Sequence, residues 1–118
     1  MYTFGFIGCG NMGGALALAV SASGVKGDKL LLSDASESKV AALAKEINGA
    51  VSHNKEIAEK CDYIFLGVKP NLAENVLSEI KSYLNDQTVI VSMAAGLTID
   101  AIKKAAGNIP VIRIMPNT

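Results

Sequence analysis

Short apolar runs rich in β-branched residues alternate along the chain with longer stretches in which apolar residues recur at helical spacing. This alternation is typical of a parallel sheet whose strands are joined by crossover helices. The pattern predicts six strands, at Thr3–Ile7, Lys29–Ser33, Ala50–Val51, Tyr63–Val68, Thr88–Ser92 and Val111–Met115. It predicts five helices between them, at Met12–Ser23, Glu37–Ile47, Lys55–Lys60, Leu72–Tyr83 and Ile99–Ala106.

The hydrophobic character of individual strands and the residues at helix ends refine this prediction. Tyr63–Val68 and Thr88–Ser92 are nearly continuous hydrophobic runs, as expected for central strands that are covered on both faces. Pro70 suits the first turn of a helix, where its missing N–H costs nothing. The candidate N-caps are Ser36 and Thr98, and the candidates for a left-handed residue after a helix are Gly49 and Gly107.

Composition limits the classes of protein to which the chain can belong. Its 118 residues, half of them hydrophobic, suffice for one domain with one core. Eleven basic residues balance eleven acidic ones, so we expect no nucleic-acid partner. No apolar run reaches the roughly 18 residues of a membrane span, and the N-terminus lacks a secretory pattern, so we expect no membrane association and a cytoplasmic protein. The two cysteines, Cys9 and Cys61, are expected to be reduced thiols.

A glycine-rich turn, Gly8-Cys9-Gly10-Asn11-Met12-Gly13, directly follows the first predicted strand and opens an alanine-rich helix. This is the context that the G-x-G-x-x-G fingerprint of dinucleotide binding requires. Gly8 makes the tight turn, Gly10 lets a pyrophosphate approach the backbone, and Gly13 lets the helix lie close to the sheet. The sequence therefore predicts an α/β fold of the Rossmann type, with a doubly wound, mainly parallel six-stranded sheet.

Asp34 lies 21 residues after Gly13, at the end of the second predicted strand. An acidic side chain there ordinarily binds the adenosine ribose and favours NAD(H), although Asp34 is also a candidate cap of the next helix. Ser33, Ser36 and Lys39 are close enough in sequence to hold the 2′-phosphate of NADP(H) if Asp34 turns away. The residues thus leave the choice between NADP(H) and NAD(H) open, and we predict that both are used.

Four segments together resemble the pyrroline-5-carboxylate reductase family. They are Gly5–Gly13, Val68-Lys69-Pro70, Ser92-Met93-Ala94-Ala95-Gly96 and the closing Val111-Ile112-Arg113-Ile114-Met115-Pro116-Asn117-Thr118. The resemblance covers essentially the whole chain. It implies an oxidoreductase of proline biosynthesis that reduces the cyclic imine 1-pyrroline-5-carboxylate to L-proline with NAD(P)H. It also implies a homo-oligomer whose dimer interface lies in a helical C-terminal domain.

The resemblance further implies which residues contact the cofactor. The pyrophosphate would lie at Ile7 through Met12 and the adenosine near Asn54. Gly67 through Pro70 would lie beneath the cofactor, and Met93 through Ala95 toward the nicotinamide. With the turn glycine and the end of the second strand included, the candidate cofactor-binding residues are Ile7, Gly8, Cys9, Gly10, Asn11, Met12, Gly13, Asp34, Ser36, Asn54, Gly67, Val68, Lys69, Pro70, Met93, Ala94 and Ala95. Family members that prefer NADPH commonly carry a basic or amide residue shortly after the second strand, whereas Asp34 is followed here by Ala35.

Several of these residues have a structural alternative. Asn54 is a candidate cap of the helix Lys55–Lys60, with or without a cofactor contact. His53 is interpreted as a loop residue rather than a general acid, and Lys69 as a solvated charge rather than a catalyst. Cys9 is expected to be a small buried thiol, and Arg113 a charge at the end of the sheet.

Reduction of an imine needs a hydride donor and a proton for the nitrogen. We assign no catalytic residue, because no side chain in the sequence is a persuasive proton donor. We also assign no metal ligand. We expect residues 1–118 to form only the dinucleotide-binding domain, with the substrate site in the family's C-terminal domain, so that this domain alone binds nucleotide but does not turn over. The alternatives are a related hydroxyacid or prephenate dehydrogenase, and a dinucleotide-binding module without catalysis.

Overall fold

The computed structural model describes residues 2–26, 29–93 and 97–114. Strands and helices alternate strictly along this part of the chain, as the hydrophobic pattern predicts. The strands are β1 Phe4–Ile7, β2 Leu30–Ser33, β3 Ala50–Val51, β4 Tyr63–Leu66, β5 Val89–Ser92 and β6 Val111–Arg113. The helices are α1 Asn11–Ala22, α2 Glu37–Ile47, α3 Asn54–Lys60, α4 Pro70–Ile80 and α5 Ile99–Ala106, and a 3-10 turn, Lys81–Tyr83, follows α4.

The six strands form one sheet in the order β3-β2-β1-β4-β5-β6, and every pairing is parallel. The chain builds outward from β1 to β2 and β3, then crosses to β4 on the other side of β1. The order of strands therefore reverses between β1 and β4, whose registers align Ile7 with Leu66. Ligands of open α/β sheets bind outside the carboxyl ends of the strands at such a reversal. The predicted doubly wound fold is confirmed, with a sheet that is parallel throughout.

Helices cover both faces of the sheet and create two hydrophobic clusters. One cluster joins alternate strand residues such as Phe6 and Phe65 to Ala17 of α1 and Leu43 of α2. The other joins the opposite strand face to α3, α4 and α5. Three of the four residues in each of β4 and β5 are buried, which confirms these as central strands. The edge strand β6 is less protected, and the side chain of Ile112 is 50% exposed.

The sequence predicted three of these helix ends, and the C-terminal end of α2 differs. Pro70 begins α4, the Thr98 hydroxyl accepts the N–H of Ala101, and Gly107 has a positive φ of 101°. The prediction for Gly49 is wrong, because Asn48 takes the left-handed conformation after α2, with φ 56°. Asparagine tolerates this region better than most residues. Asn48 directly follows the last helical residue, and its N–H donates to the carbonyl of Ala44.

The N-cap of α2 agrees with the prediction in its position, whereas the N-cap of α3 differs. Ser36 occupies the N-cap position of α2, but its side chain makes no capping hydrogen bond. Asn54 is not the cap of α3, because the helix begins at Asn54 and the preceding residue, His53, accepts the N–H of Glu56 at Nδ1. Across the described ranges 2–26, 29–93 and 97–114, no helix has the length and apolar character needed to cross a bilayer.

Candidate nucleotide-binding site

An open cavity of about 590 Å³ lies at the carboxyl ends of β1, β2 and β4, where the strand order reverses. The loops after these three strands, the first residue of α3 and the first two turns of α4 form its wall. The lining residues are Ile7, Gly8, Gly10, Ser33, Asp34, Ala35, Asn54, Gly67, Val68, Lys69, Leu72, Asn75 and Val76. The glycine turn and the ends of β2 and β4, which are far apart in sequence, thus share one wall.

Backbone packing explains three of the glycines around this cavity. Gly8 has φ +93°, and a Cβ atom there would lie 2.7 Å from the carbonyl carbon of Gly67. A Cβ atom on Gly13 would overlap with the carbonyl oxygen of Gly8. A Cβ atom on Gly67 would lie 2.9 Å from that same oxygen. The loops after β1 and β4 and the start of α1 therefore approach so closely that side chains are excluded.

Gly10 differs from these glycines because nothing lies within 4 Å of the position of its Cβ atom. Its φ of −71° is accessible to any residue, so neither packing nor backbone conformation demands glycine there. Gly10 lines the cavity and is the N-cap of α1. The open space in front of it is what a phosphate group needs to reach the backbone of a helix N-terminus.

The N–H groups of the turn divide into two sets. The N–H of Gly8 donates to the carbonyl oxygen of Ser33 at 2.9 Å, and the N–H of Cys9 donates to Oδ2 of Asp34 at 2.5 Å. The first hydrogen bond of α1 runs from the N–H of Gly14 to the carbonyl of Gly10. The amides of residues 10–13 precede that bond and carry the positive end of the helix dipole. They are therefore the amides suited to bind an anion.

Asp34 faces the turn and the cavity together. While Oδ2 accepts the N–H of Cys9, Oδ1 accepts the N–H of Ser36 at 2.8 Å. The side chain is half-buried and lines the cavity. Each carboxylate oxygen can accept a second hydrogen bond, so these backbone contacts leave capacity for a ligand hydroxyl.

Asn54 connects the end of β2 to α4. Its Oδ1 accepts the hydroxyl of Ser33 at 2.8 Å, and its Nδ2 donates to the two carboxylate oxygens of Glu79 at 3.3 and 3.4 Å. These contacts hold the amide group at the wall of the cavity. Asn54 is therefore placed for a polar ligand contact, although it is not the helix cap.

Cys9 lies beneath the turn rather than in the cavity. It is 7% exposed, and burial together with the nearby Asp34 carboxylate raises the pKa of its thiol to about 11. Burial likewise raises the pKa of Cys61 to about 12. Both cysteines are free. The interpretation of Cys9 as a small buried thiol is confirmed in its burial.

Other candidate residues differ in their relation to the cavity. Lys69 is exposed at its edge. His53 serves as the cap of α3 rather than as a cavity residue. Met93 is buried, with its methyl group 3.0 Å from the position of a Cβ atom on Gly67, so it supports the floor of the site. The backbone N–H of Ser36 donates to Asp34, which lines the cavity. Ala94 and Ala95 lie outside the described residues, as do the side chains of Asn11, Met12 and Pro70.

Five lining residues were not among the candidate cofactor-binding residues, and one of them, Ser33, was considered only as a partner for the 2′-phosphate of NADP(H). Ala35 follows Asp34, and Leu72, Asn75 and Val76 come from α4. The spacing of the last three, i, i+3 and i+4, places them on one face of the helix, and Leu72 is 48% exposed. The sequence shows the helical spacing of these three residues. It does not show that this face of α4 lines the cavity.

A family model and several known proteins are similar in sequence to this chain. Residues 3–96 match the model of a family described as NADP oxidoreductase, coenzyme F420-dependent. The chain is 47% identical to pyrroline-5-carboxylate reductase of Escherichia coli over 118 residues, which are 97% of this chain and 44% of that protein. The chain thus spans less than half the length of that relative.

Two solved structures are similar over nearly the whole chain. Pyrroline-5-carboxylate reductase of Coxiella burnetii has a TM-score of 0.93 and 28% identity, and the match covers 99% of this chain and 44% of that one. Pyrroline carboxylate reductase of Plasmodium falciparum, solved with NADP bound, has a TM-score of 0.83 and 31% identity, over 98% of this chain and 42% of that one.

Proposed function

The chain belongs to the family described as NADP oxidoreductase, coenzyme F420-dependent, and we propose that it is the dinucleotide-binding part of a pyrroline-5-carboxylate reductase. The observation that carries this proposal is the 47% identity to the Escherichia coli reductase across 97% of the chain. The reaction would be the reduction of 1-pyrroline-5-carboxylate to L-proline with NAD(P)H. The hydroxyacid and prephenate dehydrogenases share the fold class, but the 47% sequence identity to a reductase favours an imine as the substrate.

The residues around the cavity fit a nicotinamide dinucleotide. Gly10 leaves the space that a pyrophosphate needs, and the amides of residues 10–13 supply N–H donors to it. Asp34 and Asn54 stand at the end of β2, where they would contact the adenosine ribose. Gly67, Val68 and the other candidates after β4 would lie beneath the nicotinamide half. When bound, the cofactor supplies a hydride.

This chain would position the cofactor rather than transfer a proton to the substrate. Of the described residues that line the cavity, only Asp34 and Lys69 carry a titratable side chain. Asp34 is engaged by two backbone N–H groups, and Lys69 is exposed to solvent. We therefore propose that the proton donor and the site for the substrate carboxylate belong to a part of the reductase outside this chain. The 44% coverage of the relative's length supports this division.

Binding and turnover measurements test the proposal. The chain should bind NADH and NADPH, detected by the change in dihydronicotinamide fluorescence, and should not oxidise either when 1-pyrroline-5-carboxylate is added. Full turnover by the chain alone would contradict the division of labour, and failure to bind either cofactor would contradict the proposal itself. A 3-hydroxyacid and prephenate with NAD serve as controls for the alternative dehydrogenases.

We further propose that the complete enzyme is a homo-oligomer, as the resemblance implies, and that it is cytoplasmic. The two buried, reduced thiols suit a reducing compartment. Fractionation of the source cells tests the location, and sedimentation of the complete enzyme tests the oligomer.

A further inference from the structure

The end of β2 and the glycine turn are joined by two hydrogen bonds that run side by side. The N–H of Gly8 donates to the carbonyl of Ser33, and the N–H of the next residue, Cys9, donates to the carboxylate of Asp34. The second oxygen of that carboxylate accepts the N–H of Ser36, two residues further along the chain. Asp34 is thereby fixed by its own loop while it holds the turn.

Asp34 is the acceptor that the structure gives to the Cys9 N–H group. Cys9 is nearly buried, so its N–H group would lose a partner that solvent replaces poorly. A hydrogen bond to a carboxylate is also stronger than one to a neutral acceptor. The Cys9 N–H belongs to the same planar peptide group as the Gly8 carbonyl, whose oxygen sits against Gly13 and Gly67. Loss of the bond would therefore loosen the turn at its tightest point.

We propose that Asp34 is a positioning residue that holds the glycine turn in the shape that places the N-terminus of α1, with the amides of residues 10–13, beside the cavity that Gly10 lines. It would thereby contribute to the affinity for the pyrophosphate group of any dinucleotide, including one that lacks ribose hydroxyls. This inference rests on the proposed nucleotide-binding function. It goes beyond recognition of the ribose, because the contact that matters is made to the protein's own backbone.

The inference changes the expected effect of replacing Asp34. If the carboxylate only reads the ribose, Asp34→Ser shifts preference toward NADPH. If it holds the turn, Asp34→Ser and Asp34→Asn lower the affinity for NADH and NADPH together. The amide of Asp34→Asn keeps the shape of the side chain but presents an N–H₂ group to one of the two N–H donors.

The structure offers a matched control at the other end of β1. Oδ2 of Asp62 accepts the N–H of Thr3 at 2.8 Å, which is the same kind of bond between a carboxylate and the backbone. Asp62 does not line the cavity, which lies at the carboxyl ends of the strands. Asp62→Asn therefore removes a comparable stabilising contact without touching the site.

The first measurement is made without ligand. In ¹⁵N-resolved NMR spectra, the Cys9 amide proton of the unmodified chain should resonate downfield, as amides bonded to carboxylates do. In Asp34→Asn it should move upfield, and the amides of residues 8–13 should exchange with solvent faster, while other sheet amides keep their rates. Asp62→Asn should leave these signals unchanged. Because the amide oxygen of Asp34→Asn can still face Cys9, the same spectra are recorded for Asp34→Ser, and a Cys9 signal that is unmoved in both variants would overturn the inference.

The second measurement uses ADP and 2′,3′-dideoxy-ADP as probes in titration calorimetry. Asp34→Asn should weaken both probes by the same factor, about tenfold, whereas Asp62→Asn should weaken neither. A loss confined to ADP would show that the carboxylate acts through the hydroxyls and would overturn the inference. If Asp34→Asn does not fold, Asp34→Ser takes its place in both measurements. Failure of the unmodified chain to bind either probe would count against the proposed function, and the Cys9 amide would still decide the role of Asp34.

Discussion

The carbonyl oxygen of Gly8 occupies the space that a Cβ atom on Gly13 would need. This contact is made between the loop after β1 and the first turn of α1. The N-terminus of the helix therefore packs closely against the end of the strand. The adjacent Gly14 has no such constraint, since its Cβ atom would lie 3.6 Å from the Cys9 carbonyl oxygen and 3.9 Å from Leu43. Two neighbouring glycines of one helix thus have opposite tolerance for a methyl group.

Alanine substitutions at these two glycines should have opposite signs. Gly13→Ala should lower the free energy of unfolding by about 2 kcal/mol, because the backbone must shift to relieve the overlap. Gly14→Ala should leave it unchanged or raise it by up to about 1 kcal/mol, because alanine favours the helix. Urea unfolding of both variants measures the difference. Equal effects would show that Gly8 and Gly13 do not pack as described.

Gly10→Ala should separate binding from folding. The methyl group meets nothing within 4 Å and the φ of −71° suits alanine, so the free energy of unfolding should change by less than about 1 kcal/mol. The same methyl group would stand in the open space before the amides of residues 10–13. We expect the affinity for NADPH to fall at least about tenfold, measured by fluorescence titration. Unchanged affinity would place the pyrophosphate elsewhere.

Asn54→Ala should weaken binding of the adenosine half. The substitution removes the amide that Ser33 and Glu79 hold at the cavity wall, and we expect the affinity for ADP to fall by a factor of about five. Glu79→Gln is the matched control, because it keeps a hydrogen-bond acceptor for Asn54 and lies outside the cavity lining. Titration calorimetry compares the two. A larger loss in Glu79→Gln would contradict the assigned contact.

The two buried thiols should make stability fall at alkaline pH. The unfolded chain releases thiol protons near the ordinary pKa of 9.0, whereas Cys9 in the folded chain keeps its proton to about pH 11 and Cys61 to about pH 12. Between pH 9 and 11 the folded state therefore binds more protons, and the free energy of unfolding decreases as pH rises. Urea unfolding across this range measures the slope. The double variant Cys9→Ala, Cys61→Ala should have a shallower slope, and an identical slope would contradict the burial of the thiols.

Local patterns in the sequence determined much of this protein. The alternation of apolar periods predicts the six strands and five helices, because burial on both faces of a parallel sheet imposes that pattern. Thr98 and Pro70 act within their own helix ends, so their roles follow from neighbouring residues. The fingerprint Gly8 to Gly13 is likewise local, and the cavity forms beside it. Predicted boundaries are off by one or two residues where a strand end turns into a loop, as after Leu66.

Only the tertiary structure decided the contacts between distant segments. Sequence placed Asp34 near a ribose or a helix cap, but its bond to Cys9 joins residues 25 positions apart and depends on how β1 and β2 align. The same holds for Leu72, Asn75 and Val76, whose helix reaches the cavity because other residues of α4 join one hydrophobic cluster with residues of β1 and β4. Such contacts arise from the summed packing of the whole sheet, and no short stretch of residues encodes that sum.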